Sequence, residues 1–355
     1  MNQLTQYYAD TLRAAARGGG KVVPRGGGSK DFYGRATVGE ILSLADYRGI
    51  INYDPTELVL TARAGTPLAE IEALLAEQNQ CLAFEPPHFG SGATLGGAVA
   101  AGLSGPRRMQ TGPLRDFVLG TKIMDGRGDI LKFGGEVMKN VAGFDVSRLL
   151  AGSLGSFSLI LEVSVKVLPR PPYEATLRMA VPEAEALARL NSWGGQPLPL
   201  AASAWYDGQL TLRLAGAHAA VDAACSKLGG SRLEADAASA FWNSVREQQD
   251  AFFGGGEALW RLAVPTTAAP LSVPGRQFIE WGGGLRWWKS DAPASVIRSA
   301  AQAVGGNATL FRGGDRRDER FTPLPLAQLR LHQGLKKAFD PNNVFDASRL
   351  YAELA

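Results

Sequence analysis

Residues 22–30 read VVPRGGGSK, three consecutive glycines with Arg25 ahead and Lys30 behind. Without Cβ atoms, successive backbone N–H groups can close on an anion, and glycine reaches the positive φ values that turn those groups inward. Gly26, Gly27, Gly28 and Ser29 between two cationic side chains therefore suit a phosphate, although a plain turn uses the same triplet. The spaced signatures GxGxxG and GxxxxGK[ST] are absent. A second stretch, GATLGGAVAAGLSGPRR at 92–108, offers another half-site: Thr94 is placed to cap a helix whose first turn holds Leu95, Gly96 and Gly97. Such a start carries unpaired N–H groups and a partial positive charge, and both attract phosphate oxygens. Two cradles in one domain fit a pyrophosphate. Small residues at a helix start also permit close packing on a sheet, and that reading stays open.

The remaining chemistry is sparse. His88, His218 and His332 are the only histidines, none at ligand spacing, and Cys81 and Cys225 form no CxxC pair. No zinc site, cluster ligand set or disulfide framework is expected, and no metal. His88, beside Pro86 and Pro87, either faces a cofactor or is a loop histidine satisfied by backbone. Lys139 is either a group near a cofactor or a solvent-facing ion-pair partner. Arg312 opens the run RGGDRRDER, a solvated loop or else a clamp for a substrate carboxylate. Trp281, Trp287 and Trp288 read as core or cross-strand packing, with Trp281 and Trp287 on two strands of one hairpin. Exposure of Trp288 beside Trp281 would instead mark an inter-subunit surface.

These residues need elements to position them. Residues 4–16 read as a helix and 57–62 as a strand; the helix that follows is expected to open with Thr66 as cap and Pro67 at its first position. Leu68, Ile71, Leu74 and Leu75 give it one apolar stripe. Asp116 and Val118 enter a strand that returns after the turn DGRGD. From Phe157 to Val167 the odd positions are all apolar, which is period two and predicts a long half-buried strand. Pro169, Pro171 and Pro172 end it and place a domain boundary at 170. Interspersed strands and helices follow over 171–325, with YDGQ offering a hairpin turn, and an amphipathic helix stopped by Asp340-Pro341 occupies the last segment, 326–355.

Composition narrows the class. A chain of 355 residues, 45% hydrophobic, supports two domains. Its 37 basic and 34 acidic residues are mixed along the chain, which argues against nucleic acid as a partner. No apolar run spans a bilayer and the start lacks a leader pattern, so the cytoplasm is the expected location.

Five stretches together resemble a known family: RGGGSK, PPHFGSGATLGG, RDFVLGTKIMDGRG, KNVAGFDVSRLLAGSLGSFSLILEVSVKVLP and LKKAFDPNNVF. They resemble the flavoproteins of the vanillyl-alcohol oxidase and para-cresol methylhydroxylase (PCMH) type, and more closely the FAD-binding subunit of bacterial glycolate oxidase, a heteromeric 2-hydroxy-acid dehydrogenase. The resemblance implies an α+β chain: a PCMH-type FAD-binding domain of two α/β subdomains (1–170), an α+β cap on an antiparallel sheet (171–325) and a C-terminal helix returning to the FAD domain (326–355). It implies that Arg25 to Lys30 and Thr94 to Gly97 grip the FAD pyrophosphate, with the adenine end near Asp116, Gly155 and Ile160. Because RGGGSK offers no histidine or cysteine, the FAD is expected to be non-covalent. The implied partners are a sister FAD-containing catalytic subunit and an iron–sulfur subunit, with a small 2-hydroxy acid as substrate of the complex and peripheral contact with the inner membrane through it. Related catalytic subunits carry a histidine cluster for a metal, which this chain lacks, so the resemblance implies an accessory electron-transfer role. A self-sufficient dehydrogenase recruiting Lys139, Arg312 or His88, and a structural subunit with a vestigial nucleotide site, are the alternatives. Asp346 stands where that family commonly has Asn, which questions a flavin-edge role there.

Overall fold

The computed structural model describes residues 3–135 and 145–355; Lys139 and Asn140 lie outside the described residues. The first helix forms at Gln3–Gly18 and turns Tyr8, Ala9 and Leu12 into the core. Strand Val22–Arg25 then pairs in parallel with Glu40–Ser43 and runs directly into the glycine triplet.

A five-stranded antiparallel sheet follows, in the order Ile50–Asp54, Val59–Arg63, Leu159–Lys166, Val118–Met124 and Ile130–Gly134. Its central strand carries Leu159, Leu161, Val163 and Val165 on the expected buried face, yet Ile160 and Ser164 on the other face are buried too. The strand is therefore covered on both sides, because the helix Leu95–Ala101 packs against it. Ser164 tolerates burial by sharing a 2.8 Å hydroxyl contact with Thr61. One cap differs from expectation. The helix Leu68–Glu77 starts after Pro67 with no side-chain cap; the Thr66 hydroxyl instead accepts from Gly49 N (2.9 Å) and donates to Gly49 O (3.2 Å). A neighbouring loop takes that side chain: Gly49 O also accepts from Arg63 N at 3.0 Å, but the Gly49 N–H is met by the Thr66 hydroxyl.

After Pro172 the chain changes sheets. Tyr173–Ala180 begins an eight-stranded antiparallel sheet ordered Ser231–Arg232, Tyr173–Ala180, Gln209–Gly216, Leu200–Tyr206, Arg276–Glu280, Leu285–Lys289, Leu259–Ala263, Asn307–Arg312. The YDGQ turn closes its central hairpin with positive φ at both Asp207 (47°) and Gly208 (74°), as a two-residue turn matched to strand twist requires. Trp281 falls just beyond strand Arg276–Glu280, in the 3-10 turn that connects the two strands of the hairpin and not on a strand, whereas Trp287 pairs opposite Phe278. All three tryptophans, Trp288 included, are buried, so they form core and not a surface patch.

The helix Leu326–Phe339 stops at Asp340, before Pro341. Lys336 on it is buried and donates to Asp340 Oδ2 (2.5 Å), Ser156 O (3.1 Å) and Phe345 O (2.6 Å). Asp340 in turn accepts from Val344 N and Phe345 N, and Val22 N donates to Val344 O at 2.7 Å. This stitching returns the last segment to the first strand of the chain. One buried cluster joins Tyr33, Leu154 and Phe157 to Phe278, Trp287 and Phe311 and to Ala347 and Leu350, so segments flanking the glycine loop share a core with the eight-stranded sheet and the C-terminal segment.

Candidate cofactor cleft

Arg25, Gly26, Gly27, Gly28, Ser29, Lys30, Thr94, Gly96, Gly97, Gly155 and Ile160 line one cleft. The glycine loop and the Thr94 segment, remote in sequence, meet backbone to backbone. A Cβ on Gly27 would lie 1.4 Å from Gly92 O, one on Gly26 2.3 Å from Thr94 Oγ1, and one on Gly96 2.5 Å from the Ala64 Cβ. No side chain larger than hydrogen fits at these positions. Gly28 takes φ +75° and Gly155 φ +76°, values open to glycine without strain.

The N–H groups show where an anion would sit. Among the described residues those of Gly26, Gly27, Gly28, Ser29 and Lys30 meet no acceptor. The helix start differs from expectation. Thr94 does cap it, accepting from Gly97 N at 3.2 Å, but Leu95 N already donates to Thr66 O (2.9 Å) and Gly96 N to Ala64 O (2.8 Å). Its first-turn donors are spent on holding the helix to the preceding turn, so this stretch supplies a smooth glycine wall and the loop supplies the free donors. Leu95 itself is core and does not line the cleft.

Side chains add charge. Arg25 lies at the rim in a 2.5 Å ion pair with Asp31. Lys30 is only 8% exposed and has no carboxylate within ion-pair distance among the described residues; its Nζ reaches His88 O at 3.2 Å and Ser29 Oγ at 3.4 Å. Burial pushes its pKa down to about 8, with Glu247 opposing. A buried cation without a counter-ion, beside unpaired N–H groups, is an arrangement that phosphate oxygens would complete.

Arg349 and Ser158 are among the lining residues that sequence reasoning missed. Arg349 donates to Tyr33 O (3.1 Å) and Lys30 O (3.0 Å), and burial holds it below the ordinary guanidinium range. Ser158 Oγ is buried in the wall without a partner among the described residues. Both sit in stretches the sequence had singled out, three residues after Asp346 and two before Ile160, but nothing local marks which side chain turns inward.

Other candidates fall elsewhere. Asp116 sits in the 3-10 turn Leu114–Phe117, pairs with Arg115 at 3.6 Å and does not line the cleft. The His88 ring turns to Glu72 (3.1 Å), and Glu247 accepts from the backbone N–H groups of His88 and Phe89. Arg312 stacks over Phe32, Phe89 and Phe311 at 4.8 to 5.4 Å, and burial lowers its pKa. His218 pairs with Asp222 and His332 Nδ1 lies 2.8 Å from Gln328 O. No group of three or more His, Cys, Asp or Glu could hold a metal among the described residues. Asp346 accepts from Val38 N and Ser348 N, so it fixes backbone.

A glycine-walled cleft enclosed by the 25–31 loop, the Thr94 helix start, the 154–160 stretch and Arg349 suits a dinucleotide-type cofactor, and comparison with known proteins agrees. Residues 5–134 match the family model for an FAD binding domain. The chain is 48% identical to glycolate oxidase subunit GlcE of Escherichia coli strain K12 over 94% of its length and 93% of that protein's. It is 30% identical to glycolate oxidase subunit GlcD of Bacillus subtilis strain 168, over 48% of this chain and 37% of that one. The solved structure of an alkyldihydroxyacetonephosphate synthase superposes with TM-score 0.65 at 14% identity, covering 96% of this chain and 74% of that one, which bears on the fold alone. The chain belongs to the family of glycolate oxidase subunit GlcE and is an FAD-binding oxidoreductase subunit.

Proposed function

We propose that this chain is the FAD-binding subunit of a heteromeric glycolate oxidase, which converts glycolate to glyoxylate, and that it serves there as an electron-transfer flavin subunit. The observation that carries the reading is the row of unpaired N–H groups from Gly26 to Lys30 facing the Gly92–Thr94 wall, at a spacing that tolerates no Cβ. Bound there, FAD would supply two-electron acceptance and passage of electrons onward. The chain's own part is to hold the pyrophosphate on loop N–H groups, balance its charge with Lys30 and Arg25, and pack the rest of the cofactor against Gly155 and Ile160. Because no histidine or cysteine lines the cleft among the described residues, the cofactor would be held without a covalent bond.

The family and its relative GlcD, each named as a glycolate oxidase subunit, support assembly with other subunits. A sister flavin subunit bearing a metal-binding histidine set, and an iron–sulfur subunit as acceptor, complete the proposal. Segments 1–170, 171–325 and 326–355 would act as FAD domain, cap and returning helix. No helix among the described residues is long and apolar enough to cross a membrane, so any approach to the inner membrane from the cytoplasm would run through a partner. Purified with added FAD, the chain should retain one flavin. Glycolate added without oxygen should leave that flavin oxidised in the isolated chain and bleach it in the complex. Bleaching in isolation would make the chain a self-sufficient dehydrogenase, and failure to retain flavin would leave a structural subunit.

A further inference from the structure

Two cavities of about 480 and 530 Å³ adjoin one another along the cap and share Glu174, Ser239 and Asn243 in their walls. Neither has a lining residue in common with the cofactor cleft. Together they form one groove. Its first wall is the helix Ala235–Arg246, whose residues Ala235, Ala238, Ser239, Trp242, Asn243 and Arg246 fall on one face and line the groove from end to end. At about 1.5 Å per residue that face runs roughly 17 Å, the span of about five residues of extended chain. The second wall is the linker from Arg170 and the start of strand Tyr173–Ala180.

Both walls offer main-chain partners. The strand's outer neighbour, Ser231–Arg232, pairs only with Leu177 and Arg178, and Leu233 N carries the contact as far as Thr176 O (2.9 Å). Alternate residues of a strand point their N–H and C=O to the same side, so those of Glu174 face outward as well, and no described residue meets them. On the helix, the Ser239 hydroxyl and the Asn243 amide are exposed and make no hydrogen bond among the described residues. A strand edge and an amide, each with a donor and an acceptor free, suit the backbone of an added chain.

Charge selects the kind of chain. Glu85 is taken by Arg107 (3.4 Å) and Arg213 (2.7 Å), Glu174 by Arg107 (2.5 Å) and Glu72 by His88 (3.1 Å). Arg170, by contrast, has no carboxylate within ion-pair distance among the described residues and directs Nε to Gln80 O (3.3 Å). Arg246 shares Glu247 with the N–H groups of His88 and Phe89. The 530 Å³ half therefore holds cations in excess. Glu234, the lining acid without a cation among the described residues, lies in the other half. We infer that this groove receives an extended segment of a co-assembling chain, its backbone running between Glu174 and Asn243 and its acidic side chains set against Arg170 and Arg246. Carboxylates would complete those guanidinium groups, and the open strand edge would gain its missing partner.

The inference rests on the heteromeric reading for the existence of that chain. In the test, the FAD-loaded protein is purified together with the subunits that accompany it. Ser239→Trp places an indole where the two cavities meet; Ala237→Trp, exposed on another face of the same helix and lining neither cavity, is the matched control. Recovery of the other subunits should fall by at least about 10-fold in the first variant and stay unchanged in the second. Short overlapping peptides that tile the sequences of those subunits are then titrated against the FAD-loaded chain. The peptide that binds should carry clustered carboxylates, weaken with added salt, lose about 3-fold in Arg170→Gln and about 5-fold in Asn243→Leu, and fail to bind Ser239→Trp. Full assembly of Ser239→Trp overturns the inference, as does an equal loss in Ala237→Trp, the absence of any binding peptide, or a binding peptide without carboxylates. A dimer of this chain alone that Ser239→Trp breaks would make a second copy the occupant and overturn it too. If circular dichroism shows Ser239→Trp unfolded, Asn243→Leu decides by the same readouts. A wild-type chain that purifies with no other subunit removes the heteromeric reading and the inference with it, whereas assembly that survives Ser239→Trp removes the inference alone.

Discussion

The cleft at residues 25–30 and a water-sized cavity at Glu280, between the loop at 87–89 and the cap, are near neighbours: Lys30, which lines the first, holds its Nζ 5.7 Å from the ring of Phe89, which lines the second. They are built by opposite means. The cleft is made of backbone, with glycines at Gly26, Gly27 and Gly96 because a Cβ would collide with the facing chain. The cavity is made of side chains from distant positions, 89, 248, 261, 280, 281 and 311, bounded by aromatic rings and left-handed backbone. A backbone site takes whatever fits its N–H groups and tolerates no added atom. A side-chain cavity depends on which charges and hydrogen-bonding atoms are left without partners, and it can be retuned one atom at a time.

The sharpest way to break this comparison is Gly27→Val. Its added carbon would fall 1.4 Å from Gly92 O if placed on the present backbone, so flavin retention after gel filtration with added FAD should drop to background. Far-UV circular dichroism checks folding, and the softer Gly96→Ala, which meets the Ala64 Cβ at 2.5 Å, should give a smaller loss of occupancy. Unchanged occupancy in both would show that the cleft is not the flavin site. On the cavity side, Trp281→Phe removes the indole donor from Gly105 O, which keeps the Arg108 N–H at 3.1 Å, so stability should fall by about 0.5–1.5 kcal/mol in urea unfolding, with flavin occupancy kept.

Lys30→Met tests the boundary between the two regions. Removing the cation should weaken FAD by about 10-fold, roughly one charge-assisted contact, measured by titration of the apoprotein. The same change should raise apoprotein stability near neutral pH. The sign follows from the depressed pKa, about 8 in the fold against an ordinary value of 10.5. Below pH 8 both folded and unfolded chains hold the proton, and the folded one bears the full burial cost; between 8 and 10.5 the unfolded chain binds more protons, so stability rises with pH. Wild-type apoprotein should therefore gain stability across that window and Lys30→Met should not, as a urea midpoint series would record. The smallest effect belongs to Thr94→Ala, which removes the cap on Gly97 N and should cost about 1 kcal/mol. If the helix start were also a phosphate donor, the loss of FAD affinity would far exceed that figure.

Much of the cleft was legible because its demands are local. A glycine triplet between cations, and Thr94 before Gly96 and Gly97, can be read without knowing what faces them. What could not be read was the fate of individual N–H groups. The Thr94 helix start looked like a donor site, but Ala64 O and Thr66 O, some 30 residues earlier, take its first two N–H groups. Thr66 likewise looked like a cap until Gly49 claimed its hydroxyl. Arg349 and Ser158 stayed invisible as cleft residues because inward orientation is set by packing and leaves no mark on residue type.

The sequence by itself determined the steric and torsional parts: where glycine is obligatory, where period two makes a strand, and where Pro169 to Pro172 forbid its continuation. Only the tertiary structure decided which charges lose their partners. Solvation and hydrogen-bond satisfaction depend on every atom within a few ångströms, and around Glu280 and Arg261 those atoms come from residues almost two hundred positions away in the chain.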